Sequence, residues 1–215
     1  MVKVFKISIY FIMSLVFYGI FSTSAHADTV SNELITPDVN VTLTNDLTGE
    51  VQNIEPLKIN NTNNSFLLKN SESPINLGYE IFVPIVNSKE NEISTRESTG
   101  GTQTSGGVKA RLSVDFDTSG NNEKVRLNNI SGGWSPTSNI YTITTRKVDA
   151  HSGITGNTKK ISKKPSSNSF SYKTGWGYNL RVGGHASPRA WSSAKIKVNG
   201  MSATHTIKIE FTYGT

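Results

Sequence analysis

Apolar and polar residues alternate with a period of two along most of this chain. In "VKARLSVDF", Val108, Ala110, Leu112, Val114 and Phe116 fall on one side, with Lys109, Arg111, Ser113 and Asp115 on the other. Such a run predicts a strand with one face on a core and one in solvent. "EKVRLNNI" and "NIYTITTRKV" follow the rule less strictly. The clearest pair is "AKIKVNG" and "THTIKIEFTY", where Ile207, Ile209, Phe211 and Tyr213 oppose Thr206, Lys208, Glu210 and Thr212. Asn199-Gly200 between them is a hairpin turn signal. His205 is assigned to the polar side of that last strand. No window shows the i, i+3, i+4, i+7 stripe of an amphipathic helix.

Earlier segments read the same way. "VNVTLT" alternates, "TGEVQNI" follows a turn, and "GYEIFVPIV" is rich in β-branched and aromatic residues. Pro84 marks that run as an edge strand or the site of a bulge, because proline cannot donate to a ladder. Short strands with one oily face, separated by turns, predict an all-β protein, an antiparallel β-sandwich rather than a barrel.

Residues 87–107, "NSKENEISTRESTGGTQTSGG", hold one isoleucine and no other large apolar residue, and Gly, Ser, Thr and charge dominate. They predict a flexible linker or long loop. This stretch separates an N-terminal β-rich part (28–86) from a main sandwich domain (108–215). The N-terminal part is too small to hold its fold alone without disulfides, so it is expected to dock on the rest.

The chain begins "MVKVFK", then "ISIYFIMSLVFYGIF", then "STSAHA" before Asp28. A basic start, a short apolar run and small residues at the cut predict a secretory signal peptide, 1–27, cleaved after Ala27. The apolar run of fifteen residues, Ile7 to Phe21, falls short of the roughly 20 that span a bilayer. The processed product is expected to carry no integral membrane segment. It is expected outside the cell, free or held non-covalently on the wall. The chain has no cysteine, which excludes disulfides, thiol nucleophiles and cysteine-based zinc sites.

Charge is split along the chain. Residues 28–99 carry eleven acidic and four basic side chains, whereas 100–215 carry five acidic and sixteen basic. Such asymmetry suits a surface for polyanions, or two halves that attract each other. The densest cations are in "NTKKISKKP": Lys159, Lys160, Lys163 and Lys164. Arg146, Lys147, Lys173 and Arg181 are the expected partners. Lys109, Arg111, Lys124, Arg126, Lys195, Lys197 and Lys208 also fall on polar strand faces. If their strands are neighbours, they make one basic plate. It would hold an anionic cell-wall polymer such as teichoic acid, anionic lipid or extracellular DNA, through a salt-sensitive and sequence-independent attraction. Sequence-specific nucleic-acid reading is not expected. Lysines on exposed strands also guard sheet edges against aggregation.

Three further features bear on chemistry. "GWGYNLRVGGHASPRAW" places Trp176, Tyr178 and Trp191 close in sequence; exposed and coplanar they would form an aromatic platform, and otherwise they are packing residues. "DFDTSG" matches the first half of a calcium loop, with Asp115, Asp117, Ser119 and Glu123 as oxygen donors. Arg126 stands where that loop needs its bidentate glutamate, and the flanks read as strands, so a hairpin turn competes with calcium. His151 lies near Asp149 and Ser152, and His185 near Ser187. They support a secreted hydrolase as the alternative to a non-catalytic module, although no G-x-S-x-G, H-E-x-x-H or P-loop is present. A membrane-active, bacteriocin-like toxin built on amphipathic strands is the third class.

"VRLNNISGGWSPTSNIYTITTRKVDAHSG" followed by "SKKPSSNSFSYKTGW" resembles small, uncharacterised exported proteins of Gram-positive bacteria, through the "SGGW" step, the "RKV" run and the "PSSNSFSYKTG" segment. The resemblance covers residues 123–178. It implies export and a β-rich fold, makes Trp134 and Phe170–Tyr172 structural landmarks, and carries over no functional residue.

Overall fold

The computed structural model of the protein describes residues 35–59, 75–84, 107–154 and 158–214. The expected signal peptide (1–27) and nearly all of the expected linker lie outside the described residues. The chain is all-β, with two antiparallel sheets. The strands are β1 (Asp38–Asn45), β2 (Val51–Asn53), β3 (Leu57–Ile59), β4 (Ile75–Pro84), β5 (Gly107–Ser119) and β6 (Lys124–Pro136). They continue as β7 (Tyr141–His151), β8 (Lys160–Lys163), β9 (Ser169–Lys173), β10 (Asn179–Leu180), β11 (Arg189–Val198) and β12 (Thr204–Thr212). A 3-10 turn, Gly184–Ala186, precedes β11.

The first sheet runs β2-β1-β12-β11-β7-β8. The second runs β10-β6-β5-β4-β3, with β9 paired to the same edge of β6 as β10. Both parts of the chain that flank the linker contribute to both sheets. β1 pairs with β12 along its whole length, and β4 pairs with β5 from Ile75↔Phe116 to Pro84↔Gly107. Pro84 closes its strand, beyond the short stretch where β3 lies alongside.

The alternation read from the sequence sets which faces meet. Val108, Ala110, Leu112, Val114 and Phe116 of β5 are fully buried, as are Ile207, Ile209 and Phe211 of β12. One hydrophobic cluster contains residues of both sheets. Aromatic contacts cross it: Tyr79 of β4 meets Phe211 edge-on at 5.2 Å, and Phe116 meets Tyr213 at 4.8 Å. Such contacts add to the area term that dominates folding.

The β5–β6 hairpin turns through Gly120, Asn121 and Asn122, all at positive φ, the region glycine and asparagine tolerate best. "SGGW" has a local cause as well. A methyl at Gly132 would collide with the Arg111 carbonyl, and one at Gly133 with the Asn168 carbonyl. The glycines let β6 approach both neighbours, and Trp134 then donates its backbone N–H to Asn168 at 2.8 Å while its ring packs 5.3 Å from Phe170.

His205 corrects the sequence assignment. It shares the inward parity of Ile207 and Ile209 and is buried at 4% exposure. The polar side of β12 begins at Thr204 and Thr206, so reading histidine by polarity rather than by position put it on the wrong face.

Candidate functional site

Cross-strand register places the chemistry of the first sheet's outer face. Lys160, His151 and Arg189 are aligned across β8, β7 and β11. The next outward row is Ser162, Asp149, Trp191 and Glu210, across β8, β7, β11 and β12. Lys147, Ser193 and Lys208 form the row beyond.

Ion pairs lace these rows together. Lys147 Nζ lies 2.9 Å from Asp149, which also accepts from Ser162 Oγ at 2.7 Å. Glu210 pairs with both Arg189 and Lys208. The Arg189 guanidinium and the Lys208 ammonium lie 5.3 and 5.7 Å from the centroid of the Trp191 ring. The His151 ring meets Trp191 edge-on at 6.1 Å. His151 Nδ1 accepts the Gly153 N–H at 3.1 Å, which leaves Nε2 to carry the proton of the neutral ring. Burial, then Arg189, Lys160 and His185, hold His151 below the usual histidine range. Burial, followed by Arg189 beside it, lowers the Lys208 ammonium as well.

The expected lysine cluster lies at the free edge of this sheet. Lys159, Lys160, Lys163 and Lys164 are exposed on β8 and its flanks, with no ion pair among the described residues. The other four expected cations differ. Arg146 gives Nε and Nη2 to Asn168 Oδ1, at 2.9 and 2.6 Å. A register shift in β7, with Thr145 at positive φ, accompanies that placement. Lys147 is paired with Asp149, and Lys173 is exposed on β9 of the other sheet. Arg181 is spent on backbone carbonyls: Gly214 through Nε and Nη2, Asn122 through Nη1.

The single basic plate is corrected. Lys195, Lys197 and Lys208 belong to the first sheet, whereas Lys109, Arg111, Lys124 and Arg126 belong to the second. Alternation says which way a side chain points from its own strand, but not which strands are neighbours.

The aromatic platform is corrected too. Trp191 lies on the first sheet with cations against its ring. Trp176 packs against the core, and Tyr178 follows it beside the second sheet with the Arg126 guanidinium 4.6 Å from its centroid. Of the three rings only Tyr178 is exposed, and Trp176 and Trp191 are half-buried.

The calcium reading meets a hairpin. Asp115 accepts from Asn76. Asp117 pairs with Arg126 and accepts from Asn128 at 2.9 Å. Ser119 ends β5 and Glu123 sits in the turn. Among the described residues no three acidic or histidine side chains gather where they could hold a metal.

Around the histidines, Ser152 Oγ accepts the Lys159 N–H at 3.0 Å, and Ser187 Oγ bonds both backbone groups of Val182. Asp149 turns to Lys147 and Ser162. Arg189 and Glu210 are the site residues that sequence reading missed. Their parity with Trp191 and Lys208 was visible, but not that β11 and β12 place them side by side.

No protein-family model matches this chain, and no curated protein or solved structure matches it.

Proposed function

We propose that this protein is an exported, non-catalytic β-sandwich module, released by cleavage of its signal peptide, that holds an anionic polymer outside the cell. The polymer is a wall-associated or other extracellular polyanion. It lies along the β8 edge and the adjoining outer face of β7, β11 and β12. The observation that carries this reading is the exposed row Lys159, Lys160, Lys163 and Lys164, left without carboxylate partners among the described residues. Lys147, Arg189 and Lys208 extend the positive field inward, although Asp149 and Glu210 offset part of it. Unpaired surface cations attract polyanions at range and lose that attraction as salt rises.

The test is retention of the processed protein on an anionic resin and on isolated Gram-positive walls. Replacing the four lysines together with alanine lowers the salt needed for elution. Retention indifferent to salt and to those replacements overturns the proposal.

A further inference from the structure

We propose that Lys160, His151 and Arg189 form a discrete subsite for one tetrahedral oxyanion, a phosphate or sulfate group. The inference rests on the polymer-binding reading for its biological ligand, but it makes a separate structural claim.

The argument starts from register. Three consecutive strands bring three nitrogen-bearing side chains to one level of one face. Like charges directly opposite each other in a sheet are unfavourable. Here the two permanent cations are held apart only by an imidazole, and His185 adds a second one nearby. The neighbouring carboxylates do not balance the row. Asp149 is bound by Lys147 and Ser162, and Glu210 is shared by Arg189 and Lys208. Over these two rows and their partners, Lys147, Lys160, Arg189 and Lys208 face Asp149 and Glu210, with Asp38 of β1 at the end of the first row, two strands beyond Arg189. Arg189 Nε, moreover, is a buried donor with no acceptor among the described residues. An oxyanion has the charge and the acceptors that this row lacks. Trp191 closes one side, keeps the groups partly dry and so strengthens the attraction.

Occupancy must couple to the imidazole. The charged groups facing His151 are Lys160 on β8, Arg189 on β11 and His185 in the 3-10 turn, with Asp149 on its own strand. Burial and these cations disfavour its proton. A bound anion offsets the cations, so the site takes up a proton with its ligand.

Sulfate is the probe, because its charge is constant across the histidine range. The His151 ring resonances of the full processed protein are followed by NMR from pH 5 to 8, in sulfate and in chloride of equal ionic strength. Sulfate raises the His151 midpoint and leaves that of buried His205 in place. Lys160→Gln, an exposed change, weakens the sulfate response about two- to fivefold. A His151 midpoint equal in the two salts overturns the subsite, even where the protein is still retained on walls. A sulfate response without wall retention sustains the subsite and overturns the polymer reading instead. Displacement of sulfate by soluble teichoic acid identifies the polymer's phosphodiester as the ligand. A failure to displace identifies the free anion.

Discussion

Arg181 donates from Nε and Nη2 to the carbonyl oxygen of Gly214, at 3.1 and 2.5 Å, and so ties the end of β12 to the β10 edge of the other sheet. Its Nη1 reaches the Asn122 carbonyl at 3.0 Å, and its backbone N–H donates to Glu123. One side chain therefore serves carbonyls at a strand end and at a turn, neither of which completes a ladder there. Hydrogen bonds from charged donors contribute roughly 1.5–3 kcal/mol when they are removed singly.

Arg181→Met keeps the stem and removes the donors. It should lower unfolding stability by about 2 kcal/mol, read from the urea midpoint. It should leave retention on an anionic resin unchanged once the folded protein is assayed. Loss of retention without loss of stability would return Arg181 to the binding residues.

The two glycines before Trp134 make a second prediction. At Gly133 a methyl has nowhere to go, because β9 and the residue before it press against β6. Gly133→Ala should cost roughly 1–3 kcal/mol, the range for forced overpacking. Gly177 has open space around it, so Gly177→Ala should be neutral or slightly stabilising. Equal denaturation midpoints for the two variants would refute the packing account.

How much of this was legible beforehand follows from the range of each interaction. The alternation in β5, β11 and β12 is local, so it reported the buried faces of Val108–Phe116 and Ile207–Phe211 directly. The β5–β6 turn was legible as a competitor to calcium because Gly120, Asn121 and Asn122 suit positive φ. Strand neighbourhood is not local. Nothing within "VKARL" says that Lys109 and Arg111 lie on a different sheet from Lys208. Arg181 could not be separated from the free lysines, because its acceptors, Gly214 and Asn122, lie 33 and 59 residues away. Edge strands of two to five residues, such as β8, β9 and β10, carry too few positions to display a period.

Acid should weaken the fold through buried histidine. Burial holds His205 below the usual value of 6.5, against a smaller opposing pull from Asp46. His151 is lowered as well, by burial and by the cations beside it. A depressed folded-state value means that the unfolded chain binds the proton first. The stability these histidines contribute is full above 6.5 and is lost as pH falls through their folded values. The slope is at most about 1.4 kcal/mol per pH unit for each histidine. Urea midpoints between pH 7.5 and 5 should therefore drop, and His205→Phe should flatten the curve. A midpoint that rises on acidification contradicts the burial of these rings as neutral groups.

The two-sheet division of the cations gives the last prediction. Lys159, Lys160, Lys163 and Lys164 lie at the β8 edge, whereas Lys109, Arg111, Lys124 and Lys173 lie on the second sheet. Changing either set to alanine removes the same formal charge. If net charge alone held the polymer, both variants would weaken equally. With a located surface, only the β8 set should act. With duplex DNA as a model polyanion, each lost phosphate contact lowers the magnitude of the log K against log salt slope by about 0.9. The β8 variant should therefore lose up to nearly four units of slope, on the same basis, while the second-sheet variant changes little. Light scattering separates the remaining possibility. Were the β8 lysines only guards of an open sheet edge, their removal would leave the slope intact and make the protein self-associate. A binding surface instead loses its slope while the protein stays monodisperse.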